Sequence, residues 1–124
     1  MKLIIGGAYQ GKLDYAKEHF HITDEDVFNC VGAEIDFSRH CINAIEEFTL
    51  ACVRSEQDPQ AYFARYREAW ADSVLICQDI SCGVVPMERE LRRWRDATGR
   101  LCQYLSAEAE QVSRIFCGLE QRLK

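Results

Sequence analysis

Apolar and polar positions along this chain follow two different periods. Leu3-Ile4-Ile5 is a continuous apolar run closed by Gly6 and Gly7, which predicts a strand over 2–5 buried on both faces. Residues 13–20 contain no Gly or Pro and predict a helix. After the polar turn Thr23-Asp24-Glu25-Asp26, residues 27–31 predict a second strand. From Asp36 to Arg54, Phe37, Cys41, Ile45, Phe48 and Cys52 recur at intervals of 4, 4, 3 and 4, the stripe of one helix. Asp58 caps a further helix with Pro59 in its first turn. That helix is expected to run to about Ala71, with Tyr62, Phe63, Tyr66 and Trp70 as a core stripe. Residues 73–77 read as a buried strand, and Met87 to about Glu110 as the longest helix, with Leu91, Trp94, Thr98, Leu101 and Leu105 facing inward. Residues 112–117 predict a last strand, and Leu119 to Lys124 a tail. The order β-α-β-α-α-β-α-β implies an α/β fold: a mainly parallel sheet of about four strands flanked by helices, with right-handed crossovers.

Composition narrows the class. A chain of 124 residues, 48% hydrophobic, with a net charge of −5, is expected to form one globular domain spanning 1–124. The acidic balance argues against a general nucleic-acid surface. No apolar run approaches a membrane span, and Leu3 to Ile5 is too short for the core of a signal peptide. Seven cysteines occur without any C-x-x-C, an odd number that forbids complete intramolecular pairing. They predict reduced thiols acting as small core hydrophobes in a cytoplasmic protein.

The candidate chemistry follows the first strand. Gly6-Gly7-Ala8-Tyr9-Gln10-Gly11-Lys12 has the form G-x-x-x-x-G-K, a phosphate-binding loop. Its glycines let successive backbone N–H groups turn toward an anion, Lys12 adds a positive charge beside the outer phosphates, and the helix that follows starts with its positive end there. The position after the lysine commonly supplies a Mg²⁺-binding hydroxyl, and here it is Leu13. Little help from Mg²⁺ in binding is therefore expected. Asp79, just past the strand 73–77, stands where such proteins keep a metal- or water-holding carboxylate; a plain turn-capping aspartate explains it equally well. Glu46 and Glu47 read as a solvated helix face, His19 and His21 as exposed residues at a helix end, and His40 as part of the helical stretch 36–54. Gly99 lies inside a helical pattern, where a close approach by another backbone or a ligand would explain it.

Several stretches together resemble the adenosylcobinamide kinase / adenosylcobinamide-phosphate guanylyltransferase family. Gly6 to Lys12 is similar to the family's G-G-A-R-S-G-K-S, and Asp79-Ile80-Ser81-Cys82-Gly83-Val84-Val85-Pro86 to its N-E-V-G-x-G-I-V-P. Arg92 to Gln103 is similar to R-x-F-R-D-x-x-G-x-x-N-Q, and the end from Ala109 to Lys124 to A-D-x-V…V-x-G…K. The resemblance implies a RecA-like P-loop domain of corrinoid salvage that takes a nucleoside triphosphate, GTP or ATP, at Gly6 to Leu13. Lys12 would be its catalytic charge, and Asp79 would hold Mg²⁺ through water. A corrinoid is the implied partner, with homo-oligomers formed through long helices. The chain also departs from the family. Tyr9, Gln10 and Leu13 replace Arg, Ser and Ser, Asp79 replaces Glu, and Cys102 replaces Asn. No stretch matches the family's guanylylated-histidine segment, and that role is not carried to His19, His21 or His40. The chain reads as a shortened relative with reduced or lost turnover. The alternative is a catalytically dead interaction or sensor protein on the same fold, binding a nucleotide, a corrinoid or a full-length relative.

Overall fold

A computed structural model describes residues 1–80 and 88–124. The strands are β1 (Lys2–Gly6), β2 (Val27–Asn29), β3 (Cys41–Asn43), β4 (Val74–Gln78), β5 (Gln111–Phe116) and β6 (Leu119–Arg122). The helices are α1 (Lys12–Phe20), α2 (Ile45–Arg54), α3 (Pro59–Arg65) and α4 (Arg89–Glu108). The strands form one sheet in the order β2-β3-β4-β1-β5-β6. All neighbours are parallel except β5 and β6. This is the α/β architecture expected from the alternation of periods, with six strands rather than four.

β1 lies at the centre, with Leu3 opposite Leu75 of β4 on one side and Val112 of β5 on the other. Its continuous apolar run has a direct cause, since both faces are covered. Leu3 faces a core made with Ile42, Leu75, Phe48, Phe63, Trp70, Leu101 and Leu105, contributed largely by α2, α3 and α4. Ile4 faces a second core with Ile76, Ile115, Tyr15 and Ala16, covered by α1. β4 repeats the arrangement with four fully covered positions in a row.

Three expectations need correction. The helix expected over 36–54 is only its second half. Cys41 and Ile42 form β3 between β2 and β4, each wholly buried, and Ala44 in the left-handed conformation (φ 60°) separates the strand from α2. A three-residue strand buried on both faces carries no alternation, so its apolar residues merged with the helical stripe that follows. The second helix ends at Arg65 instead of Ala71, and turns carry the chain to Trp70. Trp70 still joins the core, donating from Nε1 to the Phe63 carbonyl at 2.8 Å. The expected tail is β6, a short edge strand with every residue exposed. Its polar sequence hides it from hydrophobic periodicity. The part of the second motif from Ser81 to Pro86, and Met87 at the expected start of the last helix, lie outside the described residues; α4 is described from Arg89.

The six described cysteines are all free thiols. Cys30, Cys41, Cys52 and Cys77 are buried as small hydrophobes. Burial pushes the Cys30 and Cys41 thiols up to about 12 and the Cys52 thiol to about 11. No described helix is long and apolar enough to cross a membrane.

Candidate functional site

The loop from Gly6 to Lys12 joins the carboxyl end of β1 to the N-terminus of α1. Gly6 is required by proximity: a Cβ there would lie 2.5 Å from the Ile115 carbonyl oxygen. Gly11 is required by conformation, because it caps α1 at φ 90°. Tyr9 also takes a positive φ and is fully exposed at the tip. Gln10 fastens the loop sideways to the β5–β6 turn. Its side-chain oxygen accepts the Cys117 N–H at 2.6 Å, and its carbonyl accepts the Gly118 N–H at 2.9 Å.

Ala8, Tyr9, Gln10, Gly11, Lys12, Leu13 and Asp14 form one wall of a cleft of about 630 Å³; Asn43, Ala44, Glu46 and Gln78 form the other. The cleft therefore sits at the carboxyl ends of β1, β3 and β4, between the starts of α1 and α2, where open α/β sheets take ligands. Gly6 and Gly7 lead into it. Lys12 Nζ donates to the Gly7 carbonyl at 2.6 Å. Partial burial lowers its pKa, opposed by the negative charge of Glu46. Leu13 lines the cleft and packs against the core beneath α1, with no oxygen to present.

Glu46 corrects the expectation of a solvated face. It is 8% exposed, in the first turn of α2. Its Oε1 accepts the Gln78 N–H at 2.8 Å. Its carbonyl accepts the Trp94 indole N–H at 2.8 Å and the Thr49 hydroxyl at 2.9 Å. Behind it, Thr49 and Thr98 share a buried hydroxyl contact, so α4 holds this turn in place. The signal was present in the sequence. Asn43-Ala44-Ile45-Glu46 is a strand end leading into a helix, but it became readable only once β3 was separated from α2.

Asp79 is placed differently. Its N–H donates to the Gly6 carbonyl at 2.8 Å, which ties the end of β4 to the start of the loop. Asp79 lines a neighbouring cavity of about 260 Å³ with Ile5, Cys77, Arg95, Cys102 and Gln103. Among the described residues, only Gln78 borders both spaces. Gly99 lines that second cavity, and a Cβ there would meet nothing within 4 Å among the described residues. No backbone approaches Gly99 closely among the described residues, which leaves the ligand reading of its place in the helix. The three histidines line neither space. His19 stacks on Tyr15 at 4.0 Å, and His21 and His40 are exposed.

A family model for cobinamide kinase / cobinamide phosphate guanyltransferase matches residues 38–123, more than half of the chain. The match begins beyond the Gly6 to Lys12 loop, so the loop stands on its own motif and geometry. Over 65 residues the chain is 32% identical to the bifunctional adenosylcobalamin biosynthesis protein CobU of Escherichia coli strain K12, covering 52% of this chain and 36% of that protein. It is 30% identical over 69 residues to the protein of the same name from Salmonella typhimurium strain LT2, covering 56% of this chain and 38% of that one. The aligned stretch thus spans little more than a third of these relatives.

Proposed function

This chain belongs to the cobinamide kinase / cobinamide phosphate guanyltransferase family, and from that premise we propose that it binds a nucleoside triphosphate, GTP or ATP, in the cleft between the Gly6 to Lys12 loop and the start of α2. The observation that carries the reading is the loop's position. A G-x-x-x-x-G-K turn stands at the carboxyl end of the central strand, with its lysine lining a cleft between two helix starts. There the loop N–H groups surround an anion, and Lys12 leaves the Gly7 carbonyl to pair with the outer phosphates. Gln10, held by the β5–β6 turn, fixes the loop's curvature. The acceptor we propose is of the family's corrinoid class.

Leu13 favours weak or absent phosphoryl transfer, because the first turn of α1 offers a metal no hydroxyl. The second reading, binding without turnover by an interaction or sensor protein, rests on the same residue. Isothermal titration with GTP, ATP and adenosylcobinamide, each with and without Mg²⁺, tests the proposal. Lys12→Ala should raise the triphosphate dissociation constant about 10- to 150-fold, from the loss of one charge-assisted hydrogen bond worth about 1.5–3 kcal/mol. If the wild-type protein binds no triphosphate at millimolar concentration in any of these conditions, the reading fails.

A further inference from the structure

A carboxylate in a cleft built for phosphate is at odds with the loop opposite. Glu46 faces the same space as Lys12, and its charge acts on that ammonium, yet no direct ion pair joins them among the described residues. Its Oε1 is committed to the Gln78 N–H, while Oε2 has no hydrogen-bond partner among the described residues. A negative charge beside a triphosphate is repulsive unless a cation stands between them. Asn43, at the end of β3, adds a neutral amide to the same wall. No group of three or more His, Cys, Asp or Glu gathers among the described residues. The set therefore suits Mg²⁺, a hard cation commonly held by one or two carboxylates together with phosphate oxygens and water.

We propose that Glu46, not the residue after Lys12, presents the protein's oxygen to the divalent cation of a bound triphosphate. The inference rests on the nucleotide reading above and reverses the expectation of weak magnesium dependence drawn from Leu13. The cation would sit between the phosphates and Oε2, across the cleft from its usual supplier. The hydrogen bonds from Trp94 and Thr49 to the first turn of α2, and from Gln78 to Oε1, hold the carboxylate in place. Asp79 lines the other cavity and does not border this cleft among the described residues.

Glu46→Gln separates charge from structure, since its amide oxygen still accepts the Gln78 N–H. Titration of GTP into wild type and variant, with and without Mg²⁺, gives four dissociation constants. In wild type, Mg²⁺ should strengthen binding about tenfold or more. In Glu46→Gln the enhancement should fall to about twofold or less, while magnesium-free binding improves about 3- to 30-fold as the repulsion is removed. Equal magnesium enhancement in both proteins, or none in either, overturns the assignment while leaving nucleotide binding intact. Absence of binding in every condition overturns the nucleotide reading, and the assignment falls with it. Should the variant fail to fold, Mn²⁺ with GTP on wild-type protein labelled with ¹⁵N gives the answer. Broadening strongest over residues 44–47 supports Glu46, and broadening strongest at Ile80 and Arg95 overturns it.

Discussion

An alanine at Gly6 and an alanine at Gly99 should act in opposite directions. At Gly6 the added Cβ would lie 2.5 Å from the Ile115 carbonyl oxygen and 3.5 Å from its carbon. Carbon–oxygen contacts between neighbouring strands rest at about 3.3–3.6 Å, so β1 and β5 would have to part by about 0.8 Å. β1 has no free side to yield toward, because β4 is hydrogen-bonded along its other edge. Forced overpacking of this kind costs about 1–3 kcal/mol. For a chain of this length that corresponds to a melting temperature lower by about 4–12 °C. At Gly99 the added Cβ meets nothing within 4 Å among the described residues, and the position lies inside α4. Relief of the helix-propensity penalty there is worth about 0.5–1 kcal/mol, a rise of about 2–4 °C. Thermal unfolding followed by far-ultraviolet circular dichroism measures both, with urea unfolding as a check on the free energies. A Gly6→Ala protein that melts within about 1 °C of wild type would refute the close-contact argument. If Gly99→Ala melts below wild type, the space beside α4 is not open as described.

Removing the hydroxyl in Thr98→Val should cost about 1–2 kcal/mol in urea unfolding, because Thr49 loses its buried partner next to Trp94. Native alkylation with iodoacetamide should modify exposed Cys117 well before buried Cys30, Cys41, Cys52 and Cys77, with sites ranked by mass spectrometry after quenching; after denaturation all seven thiols should be free. Hydrogen bonds from Thr23 and Ser38 hold Asp26 and Asp36 below their ordinary carboxylate values, and those from Lys2 and from Ser113 and Tyr15 do so for Glu110 and Glu120. Depressed carboxylates contribute stability above their unfolded pKa, so melting temperature should hold near neutrality and fall as pH drops below about 4; Asp26→Asn should flatten that acid limb. Incubation with GTP should leave no acid-labile GMP adduct in intact-mass spectra, and an adduct lost on substitution of His19, His21 or His40 would show that a transferable histidine had been missed.

What the sequence revealed, and what it concealed, follow from how each residue is buried. Leu3-Ile4-Ile5 and Val74 to Cys77 are covered on both faces, so their uninterrupted apolar runs announced central strands. The loop declared itself because Gly6 answers a near contact that admits no side chain and Gly11 a positive φ that glycine adopts at least cost. Cys41 and Ile42 are covered just as fully, but three residues of strand are too few to set a period, and the stripe of α2 absorbed them. Glu46 was lost with them, since its burial depends on β3 ending where it does. β6 was invisible for the opposite reason: an exposed edge strand places no demand on hydrophobicity, and only its backbone pairing with β5 defines it. That Asp79 borders the cavity beside α4 follows from how β4 ends there, which no local pattern records.

The seating of Gln10 against Cys117 and Gly118 has a consequence in time. The partners of β1 arrive late, β4 at Val74–Gln78 and β5 at Gln111–Phe116. At a synthesis rate of about 5–20 residues per second, the phosphate-loop segment waits about 5–20 s between its own emergence and that of the turn that fastens it. Until Val74–Gln78 is made, Leu3, Ile4 and Ile5 have no neighbouring strand to pair with, and until residues 117 and 118 are made the loop has no brace. The loop thus receives its brace from a residue 107 positions further along the chain. The apolar segment 3–5 is therefore exposed to misassembly until its partner strands have been made, and the loop keeps an unbraced shape until residues 117 and 118 follow.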